Sequence, residues 1–495
     1  MELTRTTFDM IKGSLSSLRV TIASSLIGAV IRSLNDKLLD TVTVIDFGAD
    51  PRGIADSTAA FQAAWDCCTD KAKVLGHGLR LRIPGGNYKI TGKLNFNWRA
   101  TDDTANDADT RRISIIGDGY GCTFINDMRE DPQGEPLMYF DGGLTDPHLR
   151  ISLYGFRIQR KGQDFKGWGF YFRNIAIMDM VNTDTHWFDH GAVFHDVIQC
   201  KIDHCQFGAN KRGMVASKLN WTQPNVFDLR HVMFGGNKNS ALTITNGANF
   251  KIDTCTFEGT GSSFTDDITV SYTGAPYEGG LGMMIVNSYF ENNHVLSDVN
   301  VGSNEAASGN FIIEGNSFQR TSPERYCRQH LNLSPNNSAG KHRYHLRGNK
   351  FKFAGGYTHQ VGDGSVVVQT PWAEVKEEGN LYEPQQPPTY GNNAIDGYNN
   401  KIVALAKISA GATPGVVNQY NVASVVRNAT GVYTLNFIKP LTFPPYSIVA
   451  TVEGALGTAS VTGYSVNSLQ ITINDNTWSA SNNIAFNVQA TGVML

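Results

Sequence analysis

Two glutamates follow phenylalanines at the same place in a recurring string. Glu258 closes FKIDTCTFE within 250–260, and Glu291 follows Phe290 in GMMIVNSYFENN at 282–293. If these strings are stacked strands, the residue after each phenylalanine forms a column with about 4.8 Å between members. Carboxyl groups roughly 5 Å apart have the spacing of a retaining glycosidase, one as nucleophile and the other as general acid. An inverting pair needs about 6.5–9.5 Å, which carboxylates two coils apart or across a groove would supply. The same glutamates would also suit a solvated turn. Asp253, one strand before Glu258, is the next catalytic candidate, and Glu314 follows it. Both belong to a column four residues before each phenylalanine that reads Asp203, Arg230, Asp253, Val286, Glu314, Arg347. Its alternating signs also describe an exposed ion-pair ladder, in which each pair is worth little.

Three further stretches carry side chains of the types that suit sugar binding. FTDDITVSYTGAPYEGG at 264–280 reads as an inserted loop with Asp266, Asp267, Tyr272, Tyr277 and Glu278, whose tyrosines could wall a sugar ring. QRTSPERYCRQH at 319–330 reads as a second loop, with Arg320, Arg325, Tyr326, Arg328 and His330. Its arginines suit the carboxylates of an acidic polysaccharide. They equally suit β-elimination, with Arg neutralising a uronate while Tyr or His takes the α-proton. NTDTHWFDHGAVFHD at 182–196 offers Trp187 as a sugar platform, or else as a core or subunit contact. His186 and His190 there have an HxxxH spacing, but strands and turns would point them apart, so neither a metal nor any other cofactor is expected.

The elements that position these residues repeat. Phe207, Phe234, Phe257, Phe290, Phe318 and Phe351 recur at intervals of 27, 23, 33, 28 and 33 residues. Around each lie an apolar strand, a turn residue that is often His, Asn or Gly, and a second short strand. Irregular spacing without a helical period, in a chain with 50 glycines, predicts an all-β protein built as a right-handed parallel β-helix. The phenylalanines would be an internal stack. At 495 residues and a net charge of −3, the chain is long for one ordinary core and lacks the basic footprint of nucleic-acid binding. Seven cysteines without a CxxC pattern, two of them (Cys205 and Cys255) on the inward column, read as reduced core residues. The apolar run at 20–31 is too short to insert in a membrane and has no cleavage site. Residues 8–39 read as one or two short helices, so 1–40 is taken as an N-terminal helical segment.

At 42–68 the string VTVIDFGADPRGIADSTAAFQAAWDCC places Phe61, Ala64, Trp65 and Cys68 on one face of a helix capped by Asp56 or Ser57, which would cover the open edge of the first coil. This entry resembles that of the pectate-lyase-like superfamily, and LRIPGGNYKITGKL (81–94) and ISIIGDGYGCTFI (113–125) look like its first two rungs. Ser57 stands where a second Asp is usual, and Arg52 and Ile54 flank the glycine. The solenoid is expected over 41–382, a Pro-, Asn- and Gly-rich linker over 383–400, and an antiparallel β-sandwich-like module over 401–495. Within that module SVVRNATGVYTLNF (424–437) resembles C-terminal modules of phage tail fibres and tailspikes. Together these parts resemble a bacteriophage tailspike. The resemblance implies a homotrimer on the virion, made in the host cytoplasm, attached to another tail or baseplate protein through its N-terminal segment. It also implies binding to a bacterial surface polysaccharide, capsule or O-antigen, and usually its depolymerisation. Catalytic residues in this superfamily sit on different rungs, so three activities stay open: endo-glycosidic hydrolysis by the carboxylate pair, β-elimination by the basic loop, and binding without cleavage.

Overall fold

The computed structural model describes residues 41–495 except 76–77, 98–111, 144–148, 221, 275–279, 303–308, 322–326, 334–341, 354–363, 369–372, 384–388, 391–401, 410–413, 415, 439–446, 454–456, 466, 476–484 and 492–495. It also describes Thr21–Ile22 and Arg32–Ser33, which pair antiparallel. Those four residues are strand within the stretch read as helical, in keeping with the β-branched Thr21 and Ile22; the rest of 1–40 lies outside the described residues.

From Thr41 to Tyr390 the chain winds as a parallel β-helix. One coil shows the plan: Ala248–Asp253 lies in a first sheet, Thr256–Glu258 in a second and Ser263–Thr273 in a third. Each strand pairs in parallel with its counterparts one coil back and one coil on. Strand alternation turns Phe257 inward, and the register places it between Phe234 and Phe290. The ladder from Phe207 to Phe351 is fully buried, with ring centroids 5.5, 4.9, 4.5, 4.6 and 4.9 Å apart in order, and Tyr382 continues it 5.2 Å beyond. Rings spaced by the strand repeat stack face on face, which is why the motif recurs in register.

The turn from first to second sheet takes one left-handed residue per coil: His204, His231, Thr254, Asn287, Gly315, Gly348 and Gly379, with φ between 51° and 66°. The next side chain turns inward and ties one coil to the last. Asn316 and Asn349 donate from Nδ2 to Ile285 O and Ile313 O, both at 2.8 Å. Cys205 and Cys255 occupy the same place and donate from Sγ to Met180 O at 3.4 Å and Leu229 O at 3.6 Å. None of the seven cysteines forms a disulfide. Where the second sheet gives way to the third, Asn237 and Asn293 do the same work, donating to Phe207 O and Phe257 O.

Helix α1, Thr58–Leu75, buries Phe61, Ala64, Trp65 and Cys68 completely, with Trp65 packed on Phe96 at 4.8 Å. The Asp56 carboxylate accepts from Thr58 N at 3.1 Å and from Thr91 Oγ1 at 2.8 Å, joining helix start to first coil. In the entry loop Asp50 accepts from the amides of Ala55, Arg52 and Ile54, which hold its carboxyl well below the usual range. Gly53, at φ 71°, has room for no side chain, since a Cβ would lie 2.7 Å from Asn87 O.

The solenoid outlasts its expected end at 382: Thr389–Tyr390 still pairs with Val367 and Val368. Beyond it, two four-stranded antiparallel sheets form the C-terminal module. One runs in the order Val416–Tyr420, Ile402–Ile408, Ala485–Thr491, Ser447–Glu453, and the other Val422–Ala429, Val432–Phe437, Ser468–Asp475, Gly457–Tyr464. Between them lies a core that includes Ile408, Tyr433, Leu435, Ile471, Phe486 and Val488. No helix among the described residues is long and apolar enough to cross a membrane.

Candidate functional site

The outward column after the phenylalanine ladder extends farther than the repeat suggested. Parallel register carries it through Lys89, Asn126, Gln159 and His186 to Gly208 and Gly235, then through Glu258, Glu291, Gln319, Lys352 and Glu383. Two successive glycines therefore separate His186 from Glu258. They floor a cleft of about 590 Å³, which Gln206, Ala209, Met233 and Asn292 help to line. A Cβ on Gly208 would stand 2.9 Å from His186 Cε1, and one on Gly235 would stand 3.2 Å from Met233 Cε, so side chains there would fill the space.

Glu258 and Glu291 are direct register partners on neighbouring strands. Glu258 is exposed at the cleft and Glu291 is half-buried. Glu291 lies beside the Tyr289 hydroxyl, and burial together with the Glu291 charge holds that phenol above its ordinary value. Asn292 donates to Glu291 Oε1 at 3.5 Å. The other two carboxylates stand apart from this pair. Asp253 accepts from Lys251 Nζ at 2.9 Å and from Thr254 Oγ1 at 3.0 Å, and the lysine contact above all holds its carboxyl low. Glu314 is paired with Arg347. Their column keeps the expected register, Asp203 to Arg230 to Asp253 to Val286 to Glu314 to Arg347. Part of its pairing runs along the strand instead of between coils, as in Arg230 with Asp228 at 2.8 Å.

Trp187 directly follows His186 in a left-handed turn at φ 66°. It is half-buried and lines a second cleft, of about 400 Å³, with Arg52, Asn87, Lys89, Asn126, Gln159 and Lys161 among its walls. Gln159 donates to Asn126 Oδ1 at 2.8 Å there. The fold thus sets Trp187 and the glutamates along one edge, with His186 lining the first cleft and its neighbour Trp187 the second. Lining up phenylalanines could not find this, because Thr185 takes the ladder position opposite Phe207. Gln206, Tyr289 and Asn292 were also missed, being polar residues without a motif. The three histidines of the 182–196 stretch take separate partners: His186 is 3.9 Å from Asp184, His190 2.8 Å from Asp189, and His195 Nδ1 2.7 Å from Tyr171 Oη.

Two expected sugar contacts are core residues. Ser263–Thr273 is a strand and not a loop, since Ile268, Val270 and Tyr272 alternate with polar residues and only a register shift before Ile268 absorbs the extra length. Tyr272 is fully buried, packs edge-on against Phe311 and donates its hydroxyl to Gly247 O. Arg320 is also buried: its guanidinium donates to Asp298 Oδ2 at 2.7 Å, and His330 Nδ1 meets the same oxygen at 2.8 Å. Asn293 donates to Asp298 Oδ1 at 2.9 Å. Although burial opposes ionisation of Asp298, these partners hold its carboxyl below the ordinary value. Arg320 is therefore unavailable to a ligand. Tyr277, Arg325 and Tyr326 lie outside the described residues.

No family model matches the sequence, and no curated protein matches it. Solved structures of similar shape include ORF18 of Geobacillus virus E2, 16% identical with a TM-score of 0.49, the match covering 89% of this chain and 77% of that one. The tailspike protein gp49 from Pseudomonas phage LKA1 is 11% identical with a TM-score of 0.49, over 92% of this chain and 100% of that one. Tailspike protein 3 of bacteriophage CBA120 is 14% identical with a TM-score of 0.47, over 87% and 74%.

Proposed function

We propose that this chain is a phage tailspike that binds a bacterial surface polysaccharide along the His186–Glu258 edge and hydrolyses it within the chain. The observation that carries the reading is the Glu258–Glu291 register at the end of a cleft floored by two glycines. Carboxylates one strand apart favour the retaining route. Glu291, oriented by Tyr289 and Asn292, is the nucleophile. It attacks the anomeric carbon as the glycosidic C–O bond breaks, and Glu258 gives its proton to the leaving oxygen. Glu258 then takes a proton from the water that releases the sugar from Glu291. Trp187 offers a stacking surface for sugars upstream, three or more strand spacings away, about 14 Å or more. Trimeric assembly and attachment through the N-terminal segment belong to the same reading.

A second reading, β-elimination, has one observation in its favour. Tyr171 Oη and His195 Nδ1 are 2.7 Å apart on the third sheet, with Arg173 on the same strand as Tyr171. Burial holds His195 below its ordinary value and so neutral, as a base must be. The basic loop first considered for this chemistry is less suited, because Arg320 and His330 are both committed to Asp298. Product masses distinguish the readings. Incubation with a panel of capsular and O-antigen polysaccharides should give saturated oligosaccharides with one added water per cut. Ultraviolet-absorbing products without that water would establish elimination, and a polymer bound but never shortened would establish a binder.

A further inference from the structure

The corner between first and second sheets carries a side-chain cluster that the hydrolytic reading leaves unused. Asp203, His204 and His231 each bring a donor atom into one group, all three within 4.8 Å of one another. Asp203 Oδ1 is 2.8 Å from His204 Nδ1 and 3.2 Å from His231 Nδ1. The imidazoles stack with centroids 4.5 Å apart. Both histidines occupy the left-handed turn position of successive coils, fixed by backbone bonds from His204 N to Arg230 O and from His231 N to Asp253 O. The turn itself does not demand histidine, since Thr254, Asn287 and three glycines hold the same position on later coils.

We propose that Asp203, His204 and His231 bind a divalent transition-metal ion of the zinc type. Two imidazoles and one carboxylate are the nitrogen and oxygen set such ions take, with water in the fourth place, whereas calcium and magnesium prefer oxygen alone. Metal bonds of about 2.0–2.1 Å in a tetrahedron separate ligand atoms by about 3.4 Å, so Asp203 Oδ1 would move apart from His204 Nδ1 by about 0.6 Å and from His231 Nδ1 by about 0.2 Å. The neighbouring cations leave the donors free. Lys201 Nζ lies 4.0 Å from the other carboxylate oxygen, Oδ2, and Arg230 is held by Asp228 at 2.8 Å. The ion would clasp two successive coils where their second-sheet strands begin. These strands, Gln206–Gly208 and Met233–Gly235, supply the floor of the cleft beside Glu258.

The test is calorimetric titration of Zn²⁺ into the full chain after chelator treatment, with the thermal unfolding midpoint as a second readout. The wild-type protein should bind Zn²⁺ at this site and unfold at a higher temperature when loaded. His231→Asn keeps a residue that Asn287 shows the turn accepts, and it should weaken that binding at least ~10-fold and remove the thermal shift. Asp203→Asn should do the same, while His345→Asn, on another coil, should change neither. Absence of Zn²⁺ binding by the wild type, or undiminished binding by folded His231→Asn and Asp203→Asn proteins, would overturn the assignment.

Discussion

Phe257 is the position where the stacked coil can be weighed most directly. It is fully buried, 4.9 Å from Phe234 at 2° and 4.5 Å from Phe290 at 12°. Phe257→Ala removes a ring from the middle of a continuous column and leaves a cavity that neighbours tied coil to coil cannot close. The expected loss is about 3–5 kcal/mol, of which each lost stack accounts for roughly 0.5–1.5. Phe257→Leu keeps most of the volume and loses only the stacking, so about 1–2 kcal/mol is expected. Denaturant unfolding followed by tryptophan fluorescence reads both changes. If unfolding is irreversible, the loss appears in the unfolding rate, tenfold for each ~1.4 kcal/mol of stacking already broken in the transition state. An alanine variant within about 1 kcal/mol of wild type would refute the internal stack as a source of stability.

Two further outcomes follow from buried polar groups. His342 is 1% exposed, its Nδ1 accepts from Gly309 N at 3.0 Å, and burial pushes its pKa down to about 4 from an ordinary 6.5. The unfolded chain thus binds the proton more readily, and stability present above about pH 6.5 should be lost as pH falls through about 4, by roughly 3 kcal/mol, a pH dependence that His342→Gln should flatten in unfolding curves. Arg320→Met should cost about 3–5 kcal/mol in the same measurement, because it leaves Asp298 buried without its cation, while polysaccharide cleavage by the protein that still folds should persist.

How much was legible depended on whether a residue's partner could be counted along the chain. The phenylalanines recur in register, so counting from them placed Glu258 beside Glu291 and ordered the charged column correctly. Tyr272 is a core residue and not a sugar contact because the long interval before Phe290 holds a strand, in which Ile268, Val270 and Tyr272 alternate as a buried strand does. Arg320 was misplaced because its partner, Asp298, lies on the preceding coil and no local pattern announces a buried ion pair. Trp187 is legible as a sugar platform, but the place of His186 in the glutamate column, with Trp187 next to it, is not, because Thr185 interrupts the ladder. The pairing of His204 with His231 is hidden for a related reason: they lie 27 residues apart, with no spacing of ligands along one strand, and successive coils bring the two together.

The central claim is that Glu258 and Glu291 act as a pair, and the direct measurement is turnover by Glu258→Gln and Glu291→Gln on a polysaccharide the wild-type protein shortens. Each variant should remain folded, bind the polymer and lose at least ~100-fold in turnover. Wild-type turnover by both would contradict the account and leave the pair as a solvated turn.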